Sequence, residues 1–393
     1  MRPAFLFLVA CTLALAGCMG PVSLHDAVLG YDETISRLES EMLIINIART
    51  HHNLPIHFTV TSSVTATFEY SASFGFAGTY FEPAGSDFHE VLVGASVKEN
   101  PTLSIVPLQG EEFTKRILTP MGESKFEFLI FQGAPIDMVM RLMADGIEVQ
   151  NRDGTFQRFI LNWPSAPEEY KEFRQRAMHL AWLNDNRQLF VRTLSFEETE
   201  RVKLTGPPSA GDLIGAREKG YGWRRVGEGN EYELTKAVSG RVAITNYDTR
   251  QLSNAERQAL NALAAANPSN FVLVDIRPGH AGGDWPLFGA LKLRSLNVIL
   301  AFVAAGIERM PEFDVEPDPR TEAVSRNPTR ALAIEKAFLR PGRAAIKAKY
   351  RGKTYSVPNT PWDLEAFNLL YQLFQMTVTD VSKARVPSIT ISK

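Results

Sequence analysis

The feature that most constrains the fold is a long stretch in which residue character alternates with a period of two. Between Ile56 and Phe81 one set of alternate positions is almost entirely aliphatic or aromatic, and the other is mostly threonine and serine. A period of two indicates β structure, because successive side chains of an extended chain point to opposite faces. At about 3.3 Å per residue the run would span roughly 80 Å, whereas an ordinary strand has about 5–6 residues. A turn at residues 82–87 and a shorter alternating segment, Phe88–Val97, complete a predicted β-hairpin, which we call the arm (residues 56–98).

Two environments are consistent with this alternation. In the first, the arm belongs to a soluble sheet with one face on a core, either as two strands or as one strand bent by a bulge near Ser71–Gly75. The protein would then be a periplasmic scaffold or binding module. In the second, the arm enters a membrane, where transmembrane strands of about 9–11 residues are apolar towards lipid and polar on the other face.

The membrane alternative requires more than one copy of the chain. A single hairpin cannot satisfy the hydrogen bonds of its edges in lipid, so several copies would have to share one β-barrel built from residues 56–98. Lipoproteins that form outer-membrane pores in this way are known in curli and polysaccharide export. The candidates for contact with lipid are aromatic residues on the apolar face, namely Phe68, Tyr70, Phe74, Phe76 and Tyr80.

The N-terminus predicts where the protein is located. Arg2 is followed by an apolar run, Ala4–Ala16, which is too short for a transmembrane helix of about 20 residues and typical of a secretory signal peptide. The run ends in Leu15-Ala16-Gly17-Cys18, which matches the bacterial lipobox. We therefore expect cleavage before Cys18 and lipidation of its thiol, and a multi-chain lipid anchor binds a membrane stably.

Two further expectations follow from the lipobox. Position 19 is Met rather than the Asp that retains lipoproteins at the inner membrane, so we expect the outer membrane of a Gram-negative host, with the body facing the periplasm. Cys11 and Cys18 are the only cysteines, and the first lies in the signal peptide. The mature chain therefore has no thiol available for a disulfide, for thiolate catalysis or for a cysteine-ligated metal.

Beyond the arm, the patterns predict an α+β protein with an N-terminal helix, the hairpin arm and a mixed α/β body. Helical spacing runs from Asp26 to about His52. The remainder predicts short helices that include Glu111–Leu118 and Glu123–Phe131, a turn at Asp145-Gly146, a strand at Phe271–Ile276 and a hairpin at Ala344–Val357. Ser253 and Glu256 form a capping-box pattern at the start of a further helix. The predicted organisation is a signal peptide (1–17), an anchor, helix and arm (18–98), a helix-rich α+β domain (99–205) and a C-terminal α+β domain (206–393). Gly206-Pro207-Pro208 is the expected linker between the last two.

No motif of known catalytic chemistry is present in the sequence. A nucleophile elbow, a phosphate-binding P-loop, a dinucleotide-binding glycine motif and a His-Glu-x-x-His helix motif are all missing. A glycine-rich loop, Gly279–Asp284, follows a predicted strand. The preferred interpretation is a simple connection, and the alternative is a phosphate-binding or catalytic loop. His51 and His52 are adjacent on a helix and point about 100° apart, so we expect a helix-end or surface role rather than a metal site.

Charge excludes one class of partner and leaves another open. Lys and Arg number 42 and Asp and Glu number 44, so the net charge is -2, and nothing indicates nucleic-acid binding. The locally basic stretch Lys336–Lys353 is read as a solvated hairpin face, with membrane head groups as the alternative. The predicted partners are therefore the membrane, through the lipid on Cys18, and further copies or other envelope proteins.

Scattered motifs resemble those of a family of uncharacterised proteobacterial lipoproteins. They are Leu43–Thr61, the Glu99-Asn100-Pro101-Thr102 segment with Pro107, Gly110 and Phe113, and Tyr350-Arg351-Gly352 followed by Leu369-Leu370. The resemblance implies an outer-membrane lipoprotein and brings no activity, cofactor or site residue with it. The functional prediction is thus a lipid-anchored envelope scaffold or binding module that is not an enzyme and holds no cofactor or metal. An oligomeric outer-membrane pore is the alternative, and an envelope enzyme is a second alternative.

Overall fold

A computed structural model describes residues 19–78, 89–204, 206–227, 231–338, 344, 346–378 and 389–392. The fold is α+β, as predicted. The helices, in chain order, are α1 (Met19–His51), α2 (Glu111–Leu118), α3 (Glu123–Phe131), α4 (Ile136–Met143), α5 (Pro167–Asp185), α6 (Ala210–Glu218), α7 (Asn254–Ala265), α8 (Leu296–Glu308) and α9 (Pro361–Val378). The strands are β1 (Phe58–Gly78), β2 (His89–Leu108), β3 (Ala144–Gln150), β4 (Phe156–Leu161), β5 (Phe190–Lys203), β6 (Gly222–Arg225), β7 (Glu231–Thr245), β8 (Phe271–Ile276), β9 (Leu287–Leu293), β10 (Glu335–Ala337), β11 (Ile346–Tyr350), β12 (Lys353–Val357) and β13 (Ile389–Ser392).

The chain divides into two compact units. Of the described residues, the first unit, the arm unit, comprises 19–46, 56–78, 89–110 and 389–392. The second, the body, comprises Ile47–Pro55 and Glu111–Thr379. In the arm unit, β1, β2 and β13 form an antiparallel three-stranded sheet in that order.

The body is built on a seven-stranded mixed sheet. Its strand order is β4-β3-β9-β8-β7-β5, and β6 pairs with one end of β7. Only β7 and β8 are parallel in this sheet. Helix α7 packs on it through a cluster of buried apolar side chains, which removes the apolar face of the helix from water. The cluster consists of Leu194, Ala243, Leu260, Ala264, Leu273 and Phe288.

Local signals in the sequence set most of the body elements. The predicted helices at Glu111–Leu118 and Glu123–Phe131 and the strand Phe271–Ile276 have the expected bounds. Ser253 and Glu256 form the predicted capping box at the start of α7, with each side chain bonding the other residue's backbone N–H. The hairpin over β11 and β12 turns at Arg351, where φ is +48°, and at Gly352.

Three predictions about organisation were wrong. β2 was expected to end near Val97 but continues to Leu108, because antiparallel pairing with β1 carries it through Asn100-Pro101-Thr102. Asp145-Gly146 lies inside β3 rather than in a turn. Gly206-Pro207-Pro208 does not separate two domains, since β5 before it and β7 after it pair along most of their length.

Candidate functional site

The arm is one continuous antiparallel hairpin in its described residues. β1 pairs with β2 from Phe58↔Leu108 to Gly78↔His89, and the register shifts once, between Thr61 and Ser63. No irregularity occurs at Ser71–Gly75, where the soluble-sheet interpretation expected a bend. At about 3.3 Å per residue, β1 is roughly 70 Å long.

The register matches the residue patterns of the two strands. Paired residues share a face of an antiparallel ladder, so each pair assigns both of its members to one side. Most apolar positions of β1 pair with apolar residues of β2, and most polar positions pair with polar ones; Phe68↔Glu99 and Thr61↔Ile105 are exceptions. The apolar pairs are Tyr70↔Val97, Ala72↔Ala95, Phe74↔Val93 and Phe76↔Val91, and the polar pairs include Thr67↔Asn100, Glu69↔Lys98 and Ser71↔Ser96.

A charged residue interrupts the apolar face on the side away from the tip, and apolar pairs such as Val64↔Leu103 resume beyond it. Phe68 pairs with Glu99, and from there to the Gly78↔His89 pair the described part of β1 has 11 residues. This length equals that of a transmembrane β-strand, which has about 9–11 residues. Phe68, Tyr70, Phe74 and Phe76 all lie in this section, which we call the tip section (Phe68–Gly78 with its partners His89–Glu99). Tyr80 and Cys18, also predicted as functional, lie outside the described residues.

Helix α1 and strand β1 run in opposite directions where they meet. The Asn46 side chain donates to the His57 carbonyl at 2.9 Å and accepts from the His57 N–H at 2.7 Å. One turn earlier in the helix, Met42 Sδ accepts a hydrogen bond from Thr59 Oγ1 at 2.8 Å. At this junction, moving towards the N-terminus along α1 therefore corresponds to moving towards the tip along β1. Asn46 is buried, so these bonds fix the direction in which the arm leaves the helix.

The arm has edges to which no strand is paired in the part of the chain that the structure describes. β13 pairs with β2 only from Thr102 to Ile105, near the base of the arm. Among the described residues, no strand pairs with the outer edge of β1 or with the edge of β2 in the tip section. Backbone N–H and C=O groups in a sheet edge are a template for another strand.

The histidine pair lies at the end of α1, but His51 is buried rather than on the surface. Its Nδ1 donates to the Ala304 carbonyl at 3.2 Å, and its Nε2 lies 3.3 Å from a carboxylate oxygen of Glu308. His52 Nε2 is 2.9 Å from the hydroxyl of Tyr355. The pair thus holds the C-terminal end of α1 within the body. No group of three or more potential metal ligands occurs among the described side chains.

The glycine-rich loop Gly279–Asp284 follows β8 at the carboxyl end of the parallel strand pair. The last residue but one of β8, Asp275, is fully buried. One oxygen accepts from Tyr247 OH and from Arg277 Nε, both at 2.7 Å, and the other accepts from Arg152 Nη1 at 3.2 Å. Burial and the adjacent carboxylate raise the pKa of Tyr247, so this phenol stays protonated as a donor. We call Asp275, Tyr247, Arg277 and Arg152 the Asp275 cluster.

Hydrogen bonds from buried side chains of the body hold the backbone of this loop in place. The Asn246 amide donates to the carbonyls of Arg277 and Ala281, both at 2.9 Å, and its oxygen accepts from the Arg277 N–H. His179 donates to the Gly282 carbonyl at 3.0 Å. A side chain at Gly283 would lie 2.3 Å from the Arg277 carbonyl oxygen, so the tight turn requires glycine. The loop presents an exposed side chain, His280, whose ring centre lies 5.4 Å from that of Tyr247.

A second buried ionic group is structural. Arg141, fully buried, donates to Glu312 at 2.9 Å and to the carbonyls of Pro328 and Thr329. Burial alone would raise the pKa of Glu312, but the charge of Arg141 and bonds from Arg141, Ala331 and Tyr170 lower it below its usual value. Sequence patterns did not reveal this group, because its members are far apart in the chain.

The remaining charged surface is largely self-compensated. In the stretch Lys336–Lys353, Lys347 and Lys349 are exposed on β11, as the solvated-hairpin interpretation predicts. An open cavity of about 430 Å³ lies beside Trp285. Four of its lining charges form ion pairs, Arg158 with Glu172 and Arg320 with Asp318, and the lining also includes Glu168, Glu169 and Lys171. It therefore offers a ligand little net charge.

The described helices include none that is both long and apolar enough to cross a bilayer. Comparisons with protein-family models, with curated proteins and with solved structures found no match to this chain.

Proposed function

We propose that this protein is a lipid-anchored outer-membrane protein whose arms enter the bilayer and pair edge to edge in a ring of copies, forming a pore. The observation that carries the proposal is the register of the arm, which places apolar opposite apolar residues from Tyr70↔Val97 to Phe76↔Val91. Phe68↔Glu99 and Gly78↔His89 flank these pairs at the two ends of the 11-residue tip section. At a tilt of about 40° such a section rises roughly 28 Å, close to the apolar band of membrane-spanning strands.

The geometry of the arm unit supports the same placement. From Asn46 back to Met19, next to the lipidated residue, α1 is about 41 Å long at 1.5 Å per residue. From His57 to Phe68 the extended chain covers about 36 Å in the opposite chain direction. The contacts of Asn46 with His57 and of Met42 with Thr59 start the two segments in the same direction, and in this proposal the apolar tip section begins near the height of the lipid anchor.

The unpaired edges of the arm favour a ring of copies, because the arm of each copy can pair with the arm of the next. The hairpin leaves the outer edge of β1 and the tip edge of β2 unpaired within the described residues. In lipid each unsatisfied backbone group costs several kcal/mol, so a solitary arm would be unstable there. Pairing β1 of one copy with β2 of the next satisfies both edges. The periplasmic scaffold remains the alternative, and it requires a soluble surface that covers the apolar face.

The test uses the lipidated protein extracted in mild detergent. We expect a heat-sensitive oligomer on native gels and release of dye from liposomes. Phe74→Arg places a charge on the apolar face and should cost about 2–4 kcal/mol in the membrane, abolishing dye release. Ser73→Arg, on the neighbouring polar position, is the matched control and should retain it.

Two results would contradict the proposal. One is a monomer that leaves dye inside liposomes and stays soluble without detergent after the lipid anchor is removed. The other is equal dye release by the Phe74→Arg and Ser73→Arg variants, since a soluble arm has no reason to distinguish them by the membrane it enters.

A further inference from the structure

We propose that the body binds a phosphate group through Arg152, Arg277 and His280, at the carboxyl end of β8. This inference is independent of the arm and of its insertion into a membrane. It concerns the Asp275 cluster, which the sequence did not reveal, and the loop Gly279–Asp284, for which phosphate binding was the second interpretation of the sequence.

The first argument is a charge balance. Asp275 has one negative charge and is fully buried, and two guanidinium groups bind it. One arginine and the Tyr247 hydroxyl would satisfy a single buried carboxylate, so the second arginine leaves an excess of one positive charge. The arginine side chains are 34% and 55% exposed for Arg277 and Arg152, so the excess charge faces solvent. The adjacent acid on α7, Glu256, accepts from Ser253 in the capping box and also attracts Arg277, so the excess positive charge is concentrated at Arg152.

The second argument concerns unused donors. Arg277 bonds Asp275 through Nε, and Arg152 bonds it through Nη1. Within the described part of the chain, the Nη atoms of Arg277 and the Nε and Nη2 atoms of Arg152 make no hydrogen bond. A guanidinium presents its N–H donors in a planar fork that matches two oxygens of a phosphate. Asp275 thus orients two forks while leaving their outer donors available.

The third argument is preorganisation. The Arg277 guanidinium lies 4.3 Å from the ring centre of Tyr247, and His280 packs against the same ring. Asn246 and His179 fix the loop backbone. Side chains that are already ordered lose little entropy when they bind, so a rigid exposed set favours a ligand. The site also lies at the carboxyl ends of parallel strands, where α/β sheets commonly bind ligands.

The test is calorimetric titration of the full mature chain at low ionic strength with two probes. Inorganic phosphate represents a free anion, and glycerophosphoglycerol represents the deacylated headgroup of an anionic lipid. We expect saturable binding of at least one probe. Tighter binding of inorganic phosphate would indicate a free anion as the ligand, and tighter binding of glycerophosphoglycerol would indicate a lipid headgroup.

Variants distinguish this site from a general effect of charge. Arg152→Gln and His280→Gln should each weaken binding by about tenfold or more. His280→Gln leaves every bond to Asp275 intact, so it tests the site even where Arg152→Gln disturbs folding. Arg250→Gln is the matched control, because Arg250 is exposed nearby and pairs with Asp248 instead. Absence of binding by both probes, or equal binding by the wild type and all three variants, would overturn the proposal.

Discussion

Two buried carboxylates in the body should respond very differently to the same loss of charge. Glu312 and Asp275 are each held by arginine, but the arginines differ in exposure. The side chain of Arg141, the partner of Glu312, is 0% exposed, whereas both partners of Asp275 reach solvent. We predict that Glu312→Gln destabilises the body about twice as much as Asp275→Asn does.

The magnitude follows from what each substitution leaves behind. In Glu312→Gln the amide can still accept from Arg141 and Tyr170, but its NH₂ group then faces the Ala331 N–H, which donates to Glu312 at 2.7 Å. Breaking a buried ion pair from one side costs about 3–5 kcal/mol. The low end applies, near 3 kcal/mol, because Asp137 lies 3.6 Å from Arg141 and supplies a second negative charge.

Asp275→Asn leaves two arginines that water can reach. Their rehydration offsets most of the lost attraction, and the remaining cost is a charge-assisted hydrogen bond, about 1.5 kcal/mol. Glu365→Gln provides a surface control, because Glu365 and its partner Arg326 are 39% and 54% exposed. Its cost should be below about 0.5 kcal/mol.

Urea unfolding followed by tryptophan fluorescence measures all three variants. The five tryptophans all lie in the body, so the signal reports that unit alone. With a slope of about 3 kcal/mol/M, Glu312→Gln should lower the midpoint by about 1 M and Asp275→Asn by about 0.5 M. Equal shifts for the two, or a larger shift for Asp275→Asn, would refute the argument that partner exposure sets the cost.

Three further tests, with five substitutions, concern the body. Burial lowers the pKa of His179, so the unfolded state binds more protons than the folded state below about pH 6.5. The free energy of unfolding should therefore fall as the pH drops from about 7 to about 5. His179→Gln should make the urea midpoint depend less on pH over this range. Ser253→Ala removes the α7 cap and should cost about 1 kcal/mol in thermal unfolding, whereas Ser209→Ala should cost less, because α6 buries no residue. Gly289→Ala would place a Cβ 2.0 Å from the Glu148 carbonyl and should lower the melting temperature sharply, while Gly306→Ala, within α8 and in open space, should raise stability by about 0.5–1 kcal/mol.

Local patterns predicted the elements of this fold better than their pairing. The alternation of β1 and the capping box at Ser253 are short-range signals, and both elements form where they were expected. The extension of β2 through Pro101 was missed, since proline weakens a strand pattern in the sequence. Here Pro101 lies within the ladder because β2 pairs with β1 along its whole length. The local sequence of β2 gives no signal of this long pairing.

The candidate sites also differ in whether local sequence patterns or long-range contacts bring their residues together. The aromatic residues Phe68, Tyr70, Phe74 and Phe76 could be assigned to one face from their spacing alone. The Asp275 cluster could not, because Arg152, Tyr247 and Arg277 meet only when β8 lies between β7 and β9. The loop Gly279–Asp284 was recognisable by its glycines, but its purpose depends on these distant partners.

The proposed match between α1 and the arm leads to a final prediction. Deleting Asp32–Leu38 removes seven residues, close to two helical turns, so the rest of α1 keeps nearly the same face while the helix shortens by about 10 Å. The lipid anchor would then lie about 10 Å nearer to the base of the arm, and the boundary at Glu99 would be displaced into the apolar layer. Because a charge there is costly, we expect the deletion to reduce dye release and oligomer formation strongly. Replacing the same seven residues with an alanine-rich helical sequence of equal length should preserve both, since it keeps the spacing and removes only the side chains. Equal dye release by the deletion and the replacement would mean that the anchor and the tip section are not linked in height.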